Sequence, residues 1–372
     1  MTASTESRLR ILIAGGGTGG HLYPALAIQE AILARAPHTD IEFVGTRQGI
    51  ESRVLPQNGQ KLNYLWVSGL KRGSLIQNFS TALKLGVSLL QSSRLISRFK
   101  PQLVIGTGGY VMGPVLYMAQ RKGIPTLLQE QNSFPGLTTR KLAPRADIIC
   151  IAFPDAAQRM KANRIELTGN PVRGSFRTVD KLTAKAQYLL DAERPTLLFV
   201  GGSQGARSIN NAVADALETL LKRFNIIWQT GKFGIPETVS QSLIETATDQ
   251  HHLKVQPFFD DMPVAYAASD LAICRAGAMT IAELAICGLP AIFIPFPFAT
   301  DDHQTANAKS LHDAGAASLI SDKALTADSM TNEIERIFDD NRLDELRAAM
   351  KTFAKPDAAK HIAEIALNLI RK

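Results

Sequence analysis

The sequence of 372 residues holds no apolar run of the ~20 residues that a membrane-spanning helix needs. Its start, Met1 to Arg10, is polar and lacks the apolar stretch and cleavage site of a signal peptide, so a cytosolic origin is expected. Cysteine is scarce. Three residues, Cys150, Cys274 and Cys287, sit inside apolar runs without CxxC or Cys/His spacing, which predicts buried free thiols, no metal site and a reducing compartment. No D-x-D occurs: the pairs Asp260-Asp261, Asp301-Asp302 and Asp339-Asp340 point different ways and make poor shared metal ligands. A diphosphate would then be met by amides, helix dipoles and arginine, with no metal and no cofactor. Aromatic residues make up 6% and form no aromatic–basic stripe, and no nucleic-acid-binding module is visible. The net charge of +7 is therefore assigned to phosphorylated substrates and an anionic membrane surface, with no nucleic-acid partner.

What is present is an α/β pattern of strand, loop and helix, repeated. Buried parallel strands are predicted at Leu9–Ala14, Ile41–Gly45, Leu103–Thr107, Thr126–Gln129 and Asp147–Ala152. A second series follows at Thr196–Val200, Ile226–Thr230, Leu253–Pro257, Leu271–Cys274 and Ala291–Pro295. Both series open alike, a strand running into Gly15-Gly16-Gly17-Thr18-Gly19-Gly20 and another into Gly201-Gly202-Ser203-Gln204-Gly205-Ala206. Two Rossmann-like domains joined near Gly169–Arg173 are expected, and with 45% hydrophobic residues each can bury its own core. Ala358–Ile370 reads as a closing amphipathic helix.

Glycine loops between a strand and a helix let backbone amides approach phosphate. Gly15, Gly17 and Gly20 satisfy G-x-G-x-x-G, yet a dinucleotide site wants an acid at the end of the second strand, where Thr46-Arg47 stands. Gly201-x-Ser203-x-Gly205 has the spacing of a nucleophile elbow, and His251, His252, His303 and His312 lie downstream. The elbow belongs inside a single sheet, however, and this loop opens a second domain, so Ser203 is expected to donate to a phosphate. A third turn, Arg275 to Glu283, combines Ala278, Met279, Thr280, Ile281 and Ala282 at a helix start, with Glu283 able to take both hydroxyls of a ribose or simply to favour the helix dipole. Arg173 is either a diphosphate ligand or a solvated surface arginine.

Together these stretches resemble the MurG family, which adds N-acetylglucosamine to the undecaprenyl-linked muramyl-pentapeptide of peptidoglycan synthesis. The matching stretches are Gly15–His21, Gly106–Gly113, Gln129–Asn132 with Gly136-Leu137-Thr138, Gly169–Arg173, Gly201–Arg207, Phe259–Met262, Arg275–Glu283 and Asp301–Ala308. The resemblance runs nearly end to end. It implies a GT-B architecture: two Rossmann-like domains with parallel sheets facing a deep cleft, and a C-terminal helix returning to the first domain. The domains would be 8–172 plus about 355–372, for the lipid-linked acceptor and the membrane, and 173–354, for the donor UDP-N-acetylglucosamine. By the same resemblance Ser203, Arg173 and Ala278–Thr280 contact donor phosphates or sugar, Glu283 the ribose and the Phe259 backbone the uracil. Gln304 and Asn132 reach the N-acetylglucosamine, and Thr18, Gly19 and Gly20 line the opposite wall. Many relatives have His where this chain has Gln129, which puts any proton transfer at that position in doubt.

Inverting transfer to the muramyl 4-hydroxyl (lipid I to lipid II) needs a base. His21 ends the first glycine loop at a helix N-terminus, which disfavours imidazolium, so it is the candidate; Glu130 is the reserve. Capping the helix or binding acceptor phosphate are the other roles open to His21. Lys71-Arg72 ahead of Leu75, Ile76, Phe79, Leu83, Val87 and Leu90 suits either a helix on an anionic bilayer or a core-facing one, and the former would place the protein peripherally at the cytoplasmic face of the inner membrane. Two other readings share the donor machinery: another UDP-sugar enzyme such as a 2-epimerase, and a non-catalytic UDP-sugar-binding protein.

Overall fold

Leucine, isoleucine and valine dominate the central strands because both faces of these strands are covered. In β1 (Arg10–Gly15) and β4 (Leu103–Gly108) the apolar residues from Ile11 to Ala14 and from Leu103 to Ile105 are fully buried. The computed structural model describes residues 8–69, 75–177, 179–202, 205–299 and 302–371, and only the backbone of 75–80, 82 and 177.

The chain divides into two units. The first runs to Arg173 and resumes at Pro356, and the second is Gly174–Lys355. The first unit adds β2 (Asp40–Gly45), β3 (Leu62–Tyr64), β5 (Thr126–Glu130), β6 (Ile148–Ile151) and β7 (Ile165–Leu167). Its parallel sheet has the order β3-β2-β1-β4-β5-β6-β7. The second unit holds β8 (Thr196–Val200), β9 (Asn225–Gln229), β10 (Leu253–Gln256), β11 (Leu271–Cys274), β12 (Ala291–Phe293) and β13 (Ala317–Leu319), ordered β10-β9-β8-β11-β12-β13, also parallel. The ten expected strands are present, two with the expected ends and the others with ends shifted by at most two residues. Three of the four edge strands, β3, β7 and β13, were not expected; each has three residues, too few to show a period in the sequence.

Strand order reverses between β1 and β4 in one sheet and between β8 and β11 in the other. At such switch points the loops leaving the strands' carboxyl ends diverge to opposite faces and leave room for a ligand. The glycine-rich segments 15–20, 106–109 and 201–205, and the turn 275–277 with its single glycine, follow or end these four strands in the sequence.

Helix α1 (Gly19–Arg35) buries Ala25, Ile28 and Ile32, and the last helix, α14 (Ala358–Ile370), packs on it with Ile362, Ala363 and Ala366. The C-terminal helix thus completes the core of the first unit. Helix α3 (Leu75–Phe99) is split in role: Leu95, Ile96 and Phe99 enter the core, whereas Leu83, Leu85 and Leu90 are exposed. Lys71 and Arg72 lie outside the described residues, as do the side chains of Leu75, Ile76 and Phe79. Among the described residues no helix is long and apolar enough to cross a membrane. The thiols of Cys150 and Cys274 are buried and that of Cys287 half-buried. All three are free, and burial pushes each up to about 12, so none is a nucleophile near neutrality.

Candidate active site

In the first unit the chain leaves β1 through Gly15–Thr18 and enters α1 at Gly19. Thr18 has extended backbone, its carbonyl accepts from the N–H groups of His21 and Leu22 (3.2 Å each), and no side chain caps the helix. His21 therefore stands in the first turn, half-buried, its own carbonyl accepting from Thr107 Oγ1 at 2.8 Å. Burial holds the imidazole pKa below its ordinary 6.5, while Glu130, the Gln131 bond, Thr107 and Glu51 pull the other way. The ring is neutral at pH 7, and the Glu130 and Glu51 carboxylates act in favour of its protonated form.

Glu130 ends β5 with its carboxylate already engaged. Its Oε1 accepts from Asn132 N and Nδ2 (3.2 and 3.3 Å) and its Oε2 from Gly136 N (3.1 Å). It ties down the 132–136 loop, and Asn132, expected at the sugar, is part of that tie. Arg173 lies with its guanidinium 5.0 Å from the ring centroid of Tyr23, two residues after His21. Gln129, where relatives were expected to carry His, is fully buried; its amide donates to Asn170 Oδ1 at 3.0 Å and accepts from Gln131. It thus supplies one donor and one acceptor inside the protein, as a neutral imidazole would, and holds the Gln131 side chain.

Glu51 shapes the same loop from behind. It opens α2 (Glu51–Gln57), is fully buried, and accepts from Gly17 N (2.7 Å), Thr46 N (2.8 Å) and Thr46 Oγ1 (2.9 Å). A Cβ on Gly16 would fall 2.5 Å from the Glu51 carboxyl carbon, which is why that position has no side chain. The acid missing from the end of β2 thus appears at Glu51, bonded to the glycine loop itself and so not presented to a ribose.

In the second unit Gly201, Gly202 and Gly205 are described, and Ser203 and Gln204 lie outside the described residues. Gly205 has φ +78°, and a Cβ there would meet the Thr230 carbonyl at 2.9 Å. The turn after β11 begins α10 (Ala278–Cys287) with Gly277 as an N-cap that has no side-chain bond; the helix's own ladder starts with Ile281 N–H on the Gly277 carbonyl at 2.9 Å. The N–H groups of Ala278, Met279 and Thr280 precede that ladder, where an anion is favoured. Ile281 is buried and Ala282 half-buried one turn in.

Glu283 accepts a hydrogen bond from the hydroxyl of Tyr266, a buried residue of α9 (Met262–Ala268), at 3.2 Å. Phe259 is buried with its N–H on Gln229 Oε1 (3.0 Å), and Gln304, in α11 (His303–Asp313), accepts from Phe296 N at 3.0 Å. Arg275 donates to the Ile294 and Pro295 carbonyls, Ser208 Oγ and Asp322 Oδ1 (3.0, 3.1, 3.0 and 2.5 Å), so its task is to tie the turn to its neighbours.

Loops containing glycine thus leave the strands at both switch points, with a neutral histidine beside one and a carboxylate in the helix after the other. The glycosyltransferase family 28 N-terminal domain matches residues 11–151 and the family 28 C-terminal domain residues 196–362. A curated relative from Chlorobium limicola is 40% identical over 98% of this chain and 100% of its own length. One from Bacteroides thetaiotaomicron is 40% identical over 98% of both chains. Each is named a UDP-N-acetylglucosamine–N-acetylmuramyl-(pentapeptide) pyrophosphoryl-undecaprenol N-acetylglucosamine transferase.

The chain belongs to the MurG family of glycosyltransferases.

The crystal structure of Acinetobacter baumannii MurG is similar, with a TM-score of 0.74 and 30% identity, covering 97% of this chain and 99% of that one. The glycosyltransferase of kitacinnamycin, at 15% identity and a TM-score of 0.71, shares the fold, with coverage of 98% and 99%. Family and fold make this chain an α/β glycosyltransferase of GT-B type, and neither a dehydrogenase nor a serine hydrolase. Sequence reasoning missed Glu51, Gln131 and Tyr266 as parts of the site. A signal existed for Gln131, because Gln129-Glu130-Gln131-Asn132 places four polar residues at the buried end of an apolar strand. Nothing in the sequence marks Glu51 or Tyr266.

Proposed function

We propose that this chain transfers N-acetylglucosamine from UDP-N-acetylglucosamine to the 4-hydroxyl of the muramyl unit of undecaprenyl-pyrophosphoryl-MurNAc-pentapeptide, with inversion. The names of the relatives support donor and acceptor. The observation that carries the mechanism is the burial-neutralised His21 at the end of an uncapped glycine loop, flanked by Glu130 and Glu51.

The second unit binds the donor. The first turn of α10 and Ser203 are assigned its diphosphate, Glu283 its ribose, the Phe259 backbone its uracil and Gln304 its sugar; Arg173 and Asn132, which belong to the first unit, are assigned to donor phosphate and sugar by the family resemblance alone. The first unit binds the acceptor diphosphate along Thr18, Gly19 and Gly20. As the acceptor oxygen bonds to the anomeric carbon, the anomeric carbon–phosphate oxygen bond breaks. UDP leaves with that electron pair, and the hydroxyl proton passes to His21. A base of this kind contributes about 10²–10⁴-fold.

The protein would work from the cytoplasmic face of the inner membrane as a peripheral enzyme on an anionic surface. Leu83 and Leu90, seven residues apart and so on one helix face, are 59% and 62% exposed. Trp66 is 51% exposed beneath Lys84 Nζ at 5.8 Å, and Arg94 and Arg98 line a neighbouring cavity of ≈ 260 Å³ with Tyr64. Leucine and tryptophan among cations suit an anionic bilayer interface.

The deciding experiment offers the protein UDP-N-acetylglucosamine and the lipid-linked muramyl pyrophosphate, and measures UDP release and disaccharide formation. Both are expected in equal amounts. Donor binding without UDP release would leave a binding protein, and an epimerised sugar without acceptor an epimerase.

A further inference from the structure

We infer that Gln131 is a positioning residue that holds His21 in the tautomer with its proton on Nδ1, leaving the Nε2 lone pair for the acceptor hydroxyl. The inference rests on the reading of His21 as the base.

A glutamine can point its amide either way, so the question is what fixes the direction. At one end of the Gln131 side chain stand two backbone carbonyls, Thr107 O at 2.6 Å and Gln129 O at 3.3 Å. Carbonyl oxygens only accept, so that end is the NH₂ group. The other end is therefore oxygen, and it faces His21 Nδ1 at 3.3 Å. An amide oxygen only accepts, so a neutral His21 must carry its proton on Nδ1. Nε2 is then the basic nitrogen.

The direction is locked a second time. The Gln131 NH₂ also donates to Gln129 Oε1, which turns the Gln129 NH₂ onto Asn170 Oδ1 at 3.0 Å. Asn170 in turn directs its own NH₂ onto the Gln131 carbonyl at 3.1 Å, so the chain of amides closes on the backbone of the residue where it began. Gln129, Gln131 and Asn170 are all buried, and water does not compete for these bonds. Reversing any one amide would set NH₂ against NH₂ or oxygen against carbonyl. Three elements meet in this arrangement: α1 supplies the imidazole, β4 the Thr107 carbonyl, and β5 with its following residues the glutamines.

The same bond acts during transfer. When Nε2 takes the hydroxyl proton, positive charge spreads to Nδ1–H, and the Gln131 oxygen accepts a stronger bond from it, so the contact favours the imidazolium over the neutral ring.

The test is ¹⁵N nuclear magnetic resonance of the full chain labelled at histidine, with His21 assigned by the signal lost in His21→Ala. At neutral pH the wild-type ring is expected in the Nδ1–H form. In Gln131→Leu the ring is expected to show both tautomers, kcat to fall about a hundredfold with KM for the donor little changed, and the acid limb of the pH profile to move to lower pH. A wild-type His21 in the Nε2–H form overturns the inference whatever the variant does, as does a Gln131→Leu protein with full kcat. If His21→Ala keeps full kcat, the base reading falls, and the catalytic half of the inference with it. An inactive His21→Ala beside an Nε2–H ring sinks this inference alone.

Discussion

A Cβ on Gly108 would lie 2.3 Å from Nδ1 of His21, so the imidazole occupies the place where residue 108 would carry its side chain. Gly108 also has φ +116°, which other residues rarely adopt. The expected result of Gly108→Ala is a His21 ring displaced from its setting, with about 1–3 kcal/mol of backbone strain and about a hundredfold loss of turnover. UDP release at saturating substrates measures it. A variant with wild-type turnover would show that the ring's placement does not matter to the reaction.

The pH dependence follows from the direction of the His21 shift. A base must be unprotonated, and burial lowers its pKa from 6.5, so kcat/KM should be level around neutrality and fall only below pH 6.5. Glu51 pulls the His21 pKa upward, so Glu51→Gln should move that acid limb further down. A limb centred above 6.5 in the wild-type protein contradicts the assignment.

Glu51 should matter to stability as well. Its carboxylate is fully buried and holds Gly17 and Thr46 through three bonds. Glu51→Ala strands those donors without water and is expected to cost about 3–5 kcal/mol in denaturant unfolding, with Glu51→Gln costing less because one acceptor oxygen stays.

Tyr266→Phe removes the hydroxyl that orients Glu283 and nothing else of size. If Glu283 takes the ribose, KM for UDP-N-acetylglucosamine should rise about tenfold, the worth of one hydrogen bond to a charged group, while kcat stays within a factor of about two. A fall in kcat with KM unchanged would move Glu283 from donor binding to the reacting centre.

Replacing Leu83 and Leu90 together by serine should lower co-sedimentation with vesicles rich in anionic lipid. Activity on a soluble acceptor analogue should survive, because neither side chain enters the core. Undiminished sedimentation would mean that another surface meets the bilayer.

By itself the sequence determined the class of fold and where its loops would fall. A parallel strand covered on both faces must be apolar, so β1, β4, β8 and β11 stand out as short apolar runs, the first three ending in glycine or running into it and β11 reaching Gly277 three residues on. It also determined the scarcity of cysteine, and it singled out His21 because a histidine that ends a glycine loop at a helix N-terminus is kept neutral. What only the tertiary structure decided are relations between residues far apart in the chain. Gln131 reaches His21 across 110 positions, Gly17 is held by Glu51 across 34, and Glu283 by Tyr266 across 17. Such bonds leave no periodic trace, since a hydrogen bond needs only one donor and one acceptor in the right place, and burial makes a single contact strong enough to set a proton's position. Edge strands of three residues and the burial that neutralises His21 belong to the same class, being properties of the assembled sheet and not of any segment read alone.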